Sequence, residues 1–219
     1  TEALEEVVKT TKVAGVMFEA IQGEGGIQPL NPEFVWNMAR IAKEHDIVLI
    51  ADEVQCGNGR SGKLYAYMNY AVQPDVVTTA KGIGGGLPIG VTMLGEKVQD
   101  VFKPGLNGST FGGNPVCCAG AISILDRIDD ALMSQVAEKS KYIFQELSGA
   151  KGVESVSGMG LMIGVKPVKP TPEVVAKCRE KGVLVLTAKD KLRLLPPLNI
   201  PFEQLKQAVA VLKSVCGED

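Results

Sequence analysis

Lys81 stands at the junction of two unlike stretches in DVVTTAKGIGGGLPIG, residues 75–90. Before it, Val76, Val77, Thr78 and Thr79 are β-branched and favour a strand. After it, Gly82, Gly84, Gly85 and Gly86 cannot continue a strand well. An amine at a strand end, beside backbone that lets a ligand approach closely, can hold that ligand. The plainer alternative is a surface lysine that blunts the strand. A second candidate is the acidic pair Asp52-Glu53 in IADEVQ, at the end of an apolar run. A charge there is costly unless compensated. Either it caps the next segment or pairs with an arginine such as Arg60, or it points into the crevice where open α/β sheets bind ligands. A third candidate is NGSTFGGNP, residues 107–115, where Ser109 and Thr110 offer hydroxyls and glycines precede a helix start. Such a segment suits a phosphate, or is an ordinary loop ending in a helix cap.

An amine, a strand-end carboxylate and an anion cradle together suit pyridoxal 5′-phosphate (PLP). The lysine meets the aldehyde, the carboxylate keeps the pyridine nitrogen protonated, and the phosphate needs its own site. A free lysine titrates at ~10.4, so such a site must lower that value to give a neutral nucleophile. A competing motif is GNGRSGK, residues 57–63. As a P-loop it lacks the Ser or Thr that should follow, because Leu64 stands there. As a dinucleotide fingerprint it lacks the turn directly after the strand and the acid ~20 residues on. A glycine loop bending past a ligand fits it better.

These residues need elements to position them. The N-terminal TEALEEVVKT reads as a helix. VAGVMFE (13–19) reads as a strand, and residues 31–46 as a helix with Asn31 as N-cap and Pro32 at its first position. IVLIADEV (47–54) is apolar enough to be a strand buried on both faces. DVVTTA and PIGVTML are two further strands. The β-α-β order predicts a parallel sheet with right-handed crossovers, placing Asp52 and Lys81 at the ends of successive strands facing one crevice. Beyond residue 125 the character changes. A helix from Asn114-Pro115 is followed by a second over 130–148. Short strands then appear at GVESVSG, GLMIGVKP, VLVLT and LRLLP, with helices at TPEVVAKCREKG and PFEQLKQAVAVLKSVC. This pattern predicts a smaller α+β domain.

Composition narrows the classes. The 219 residues carry a net charge of −2 with no basic stripe, so nucleic acid and anionic membrane are not expected partners. No apolar run approaches the ~18 residues of a membrane span, and the first residues do not resemble a signal peptide. Cys56, Cys117, Cys118, Cys178 and Cys216 are odd in number and form no CxxC pair, which argues against a disulfide framework or a zinc site. No metal is expected, and a reducing cytoplasmic location fits. The one histidine, His45, falls at a helix end, where it caps or is solvated.

In order along the chain, EAIQGEGG, DEVQCGNGRSG, TTAKGIGGGLPIG and GSTFGGNP resemble the signature blocks of the class III PLP-dependent aminotransferases. The resemblance implies an α/β fold of the PLP-transferase type I kind, similar to aspartate aminotransferase. A partial large domain with a mostly parallel sheet would cover residues 1–125, and a small C-terminal α+β domain residues 126–219. It implies that Lys81 carries the cofactor and shuttles the proton, and that Asp52 pairs with the pyridine nitrogen. Glu53 would belong to the same cofactor-contacting block. Val54 would pack on the ring, Gln55 would contact its phenolic oxygen, and Thr110 would bind the phosphate of the cofactor held mainly by the other subunit of a homodimer. Ser109 would lie close to substrate. Glu24 and Arg193 would form a gate that opens when glutamate's carboxylate needs the arginine, an exchange for which a bidentate guanidinium is suited. The alternative for Arg193 is a structural ion pair. The implied substrates are an amino acid and a 2-oxo acid.

The amino donor that fits best by resemblance is N-acetylornithine, with 2-oxoglutarate as acceptor in arginine biosynthesis. Ornithine, succinyl-diaminopimelate and 4-aminobutyrate are alternatives that share the cofactor residues. Asn107 stands where many relatives have His, and Ala20 where many have Pro. Relatives also carry a preceding segment that supplies a phosphate loop, a ring stacked on the cofactor and an arginine for the α-carboxylate. These residues alone are therefore expected to bind PLP weakly and turn over little. Two readings of other classes remain: a nucleotide-binding protein using GNGRSGK, and a non-catalytic chain that only folds or dimerises.

Overall fold

Asn31-Pro32 begins a helix for a local reason. The Asn31 side chain accepts from Glu33 N at 2.8 Å, and Pro32 occupies a first-turn position where no N–H is needed. The same device recurs at Asn114-Pro115. The computed structural model describes residues 1–218, and in chain order its first elements are α1 (Glu2–Thr10), β1 (Gly15–Phe18), the ribbon strands β2 (Ile21–Gln22) and β3 (Gln28–Pro29), and α2 (Pro32–Glu44). Then come β4 (Val48–Asp52), β5 (Val76–Thr79), β6 (Val91–Leu94), α3 (Pro115–Leu125) and α4 (Asp130–Leu147). The last are β7 (Val153–Met159), β8 (Met162–Pro167), α5 (Thr171–Glu180), β9 (Leu186–Ala188), β10 (Lys191–Leu194) and α6 (Phe202–Gly217).

The chain divides into two units. The first comprises residues 1–20, 30–58 and 63–128; the second takes 21–29, 59–62 and the chain from 129 onward. In the first unit the sheet order is β1-β4-β5-β6. β1 with β4 and β4 with β5 run parallel, with Asp52 opposite Thr78. Period-2 alternation puts Leu49, Ala51, Val77 and Thr79 on one buried face. α2 packs there and buries Val35, Met38, Ile41 and Ala42. Val48, Ile50, Asp52, Val76 and Thr78 lie on the other face and are half-buried. His45 caps α2, its N–H bonded to Ile41 O at 3.0 Å, as its position at a helix end suggested.

Three local expectations need correction. β6 pairs with β5 antiparallel, not parallel. Only a 3₁₀ turn, Lys81–Gly84, follows β5, so the chain doubles back without the helical crossover that a parallel return needs. The connection from β4 to β5 likewise holds a 3₁₀ turn, Ala66–Tyr70, rather than an α-helix. In VLVLT only the end is strand. Val183 N bonds Cys178 O at 2.8 Å and stays in the terminal turn of α5, leaving β9 to start at Leu186.

In the second unit the sheet order is β7-β8-β10-β9, with antiparallel pairs throughout. One face carries Ile163, Val165, Leu192 and Leu194 into a core with α4, α5 and α6, where Val136, Ile143, Leu147, Val174, Leu205, Val209 and Leu212 are buried. The segment 59–62 is fastened to this unit. Leu161 N donates to Arg60 O at 2.9 Å, and the Arg60 guanidinium donates to Leu161 O at 3.2 Å and to Pro196 O. Burial pulls the Arg60 pKa down to about 10, which still leaves it charged at neutral pH.

Candidate active site

β4 delivers two adjacent carboxylates to opposite faces. Asp52 is half-buried, and its Oδ1 accepts from Val54 N at 3.0 Å, a local turn that points the chain away from the sheet. Val54 and Gln55 follow in that turn, both half-buried. Glu53 goes the other way and is fully buried. Its carboxylate accepts from Ala66 N and Tyr67 N, each at 2.8 Å, and from Cys56 Sγ at 3.4 Å. Burial pushes its pKa up, against the lowering effect of those bonds. The expectation that Glu53 contacts the cofactor is thereby replaced. Its oxygens are committed to backbone amides, and it anchors the 3₁₀ turn beyond the loop.

β5 delivers the lysine. Lys81 follows it, exposed, with φ at 49°, in the left-handed region that lysine seldom enters. Such conformations persist where neighbours over-determine them, and they concentrate at functional sites. The neighbour here is Asn58, whose Nδ2 donates to Thr79 Oγ1 at 2.9 Å and to Ala80 O at 3.2 Å, bracing the residues just before Lys81. Asn58 is itself left-handed, with φ at 55°. Sequence reasoning dismissed GNGRSGK as a phosphate grip but did not single out this asparagine. An Asn between two glycines, tolerant of positive φ, was the available signal. Two buried polar atoms in this region, Asn58 Oδ1 and Thr78 Oγ1, have no hydrogen-bond partner among the described residues. Thr78 is the register neighbour of Asp52, so its hydroxyl lies on the same face as that carboxylate.

Ser109 and Thr110 are exposed in the connection before α3. The first amides of α3 are already served, because Asn114 Oδ1 accepts from Val116 N at 3.0 Å and Cys117 N at 3.3 Å. α3 packs on the glycine turn after Lys81. A Cβ at Gly120 would fall 2.6 Å from Leu87 Cδ1, so the glycine seats that leucine. The structure thus brings Asp52 and Lys81 to the carboxyl ends of neighbouring parallel strands.

The second unit holds the other predicted pair. Arg193 on β10 forms an ion pair with Glu24, in the turn between β2 and β3. The arginine side chain is only 13% exposed and the glutamate 77%. Arg60, weighed above as a partner for Asp52, is instead held by the carbonyls of Leu161 and Pro196.

The mostly parallel sheet with helices that carries Asp52 and Lys81 is an α/β fold, and the solved structures it matches are PLP-dependent aminotransferases. The family model described as aminotransferase class-III matches residues 1–216, and the chain belongs to that family. It is 43% identical over 208 residues to an acetylornithine aminotransferase of Haemophilus ducreyi, covering 94% of this chain and 53% of that protein. An N-acetylornithine aminotransferase structure from Stenotrophomonas maltophilia superposes with a TM-score of 0.89 at 32% identity, covering 98% of this chain and 59% of the other. An ornithine aminotransferase structure from Plasmodium yoelii gives 0.90 at 32% identity, covering 98% and 60%. The chain spans about half the length of the curated relatives it matches, 53% and 54% for two of them.

Proposed function

We propose that this chain serves the PLP-dependent transfer of the ω-amino group of N-acetyl-L-ornithine to 2-oxoglutarate, yielding N-acetylglutamate 5-semialdehyde and glutamate, in a cytoplasmic homodimer. The observation that carries the reading is Asp52 and a left-handed Lys81 at the ends of adjacent parallel strands. The residues present fit the cofactor: an amine, a half-buried carboxylate, and a buried hydroxyl at Thr78 that lacks a partner among the described residues. Bound PLP supplies an electron sink for the carbon that carries the transferred amine.

Lys81 Nζ would hold the cofactor and move the proton. Asp52 would face the pyridine nitrogen and keep it protonated, and its own bond to Val54 N fixes the direction of its carboxylate. Val54 and Gln55 would line the ring. Thr110 would help hold the phosphate across the dimer, and Ser109 would lie by the substrate. Arg193 would bind the carboxylate of 2-oxoglutarate after releasing Glu24, the partner it holds in this structure. The names of the curated relatives support the acetylated donor. The match to an ornithine aminotransferase supports free ornithine as the second reading. Among the described residues no helix is long and apolar enough to cross a membrane.

Because weak binding is expected of these residues alone, absorbance at saturating PLP, before and after borohydride, tests this. A cofactor band that borohydride removes, present in the wild type and absent in Lys81→Ala, is expected. Turnover should favour N-acetylornithine over ornithine, succinyl-diaminopimelate and 4-aminobutyrate. A band that persists in Lys81→Ala overturns the assignment of the lysine, and faster turnover of ornithine replaces the donor.

A further inference from the structure

The turn that carries Glu24 is built on a strained residue. Ile27 has φ at 51°, a left-handed conformation that is an outlier for a β-branched side chain. Something must hold it there. Its side chain is fully buried, and its N–H closes the turn on Gly23 O at 3.4 Å, beside the bond from Gly26 N to the same oxygen at 3.2 Å. Its carbonyl accepts from Ser157 Oγ at 2.7 Å. Ser157 in turn accepts from Lys191 Nζ at 2.8 Å.

Lys191 is only 6% exposed, and burial pulls its pKa down. Its amine lies behind the serine hydroxyl and polarises it, which strengthens the bond that the hydroxyl donates onward. The three groups meet where Gly164 leaves room. A Cβ there would fall 2.9 Å from Ile27 Cβ, 3.1 Å from Lys191 Cδ and 3.1 Å from Ser157 Oγ. Gly164 is also the register partner of Ser157 on one side and of Arg193 on the other. One row across the sheet therefore carries both the guanidinium that meets Glu24 and the hydroxyl that holds the turn bearing Glu24.

We propose that Lys191, acting through Ser157, is a positioning residue that holds the 23–27 turn and so sets where Glu24 meets Arg193. The anchoring stands on the geometry above; its kinetic consequence rests on the reading of Glu24 and Arg193 as the substrate gate.

Amide hydrogen exchange on the PLP-reconstituted protein tests the anchoring without recourse to activity. In Ser157→Ala and Lys191→Met, exchange at Gly26 and Ile27 should rise about tenfold, while β7 and β8 keep their wild-type rates. Ser157→Thr, which keeps the hydroxyl, should restore slow exchange. In the two disrupting variants the KM for 2-oxoglutarate should rise several-fold more than kcat falls. Unchanged exchange at residues 26 and 27 in both variants overturns the proposal. So does acceleration spread evenly over the second unit, which marks general destabilisation instead. Faster exchange confined to the turn supports the anchoring, and if Glu24→Gln then leaves the KM for 2-oxoglutarate unaltered, it is the gate reading that fails.

Discussion

Replacing Glu53 by glutamine keeps the shape of the side chain but removes one of two acceptors. Ala66 N and Tyr67 N each sit 2.8 Å from a different carboxylate oxygen, so one of them would face an amide NH₂ instead. A hydrogen bond to a charged group contributes about 1.5–3 kcal/mol, and a buried donor left unmade costs about 1–3 kcal/mol. Part of that loss is offset, because glutamine spares the protein a buried charge, the effect that raises the Glu53 pKa. The net destabilisation is about 2 kcal/mol. At about 2–4 °C per kcal/mol for a chain of this size, scanning calorimetry should show Tm falling by about 4–8 °C at pH 7.

The pH dependence has a definite sign. The folded state holds the Glu53 proton more readily than the unfolded state, whose carboxyl titrates near the ordinary 4.5. Between that value and the raised folded pKa, the stability linked to this group grows as pH falls. The gap between wild type and Glu53→Gln should therefore widen on acidification from neutral pH. A Tm change below about 1 °C, or a gap that narrows on acidification, refutes the assignment of Glu53 as a buried anchor.

Two further outcomes follow from packing. Gly160 has φ at 57°, and a Cβ there would fall 2.4 Å from Arg60 O and 2.5 Å from Ser61 C, so Gly160→Ala should cost more than about 3 kcal/mol in urea unfolding; a cost below about 1 kcal/mol would mean the 59–62 segment shifts freely. Burial pushes the Cys178 thiol up to about 11 and also raises Cys216, while Cys56 and Cys117 are buried and Cys118 is half-buried. Thiol titration of the native protein at about pH 8 should therefore modify Cys118 promptly and the other four only on denaturation. Prompt modification of Cys178 would contradict its placement between α5 and α6.

The placement of the candidate site residues at strand ends was legible before any coordinates, because its signals are local. A β-branched run before glycines marks where a strand must end, and so where Lys81 is presented. Asn followed by Pro marks two helix starts, since the cap and the proline both act within one turn. The four ordered blocks around Glu24, Asp52, Lys81 and Thr110 were enough to name the family. What the local signals could not carry was anything set by a partner distant in the chain. The run through Asp52 and Glu53 shows that two adjacent carboxylates face opposite ways. Only packing decides which face is covered, and hence that Glu53 is structural. Nothing in PIGVTML distinguishes a parallel from an antiparallel return, a choice made by the short 3₁₀ connection before it. Ser157 and Lys191 read as unremarkable strand residues. They acquire a role because antiparallel register brings them together beside Gly164, with Ile27 more than a hundred positions earlier lending its carbonyl. Sequence by itself determined which groups are candidates for the chemistry and which strands present them, because propensity and motif spacing act over a few residues. The tertiary structure alone decided which of those groups are left half-buried or exposed at the strand ends and which hold the frame, because burial and hydrogen-bond partners are set by chain segments far apart in sequence.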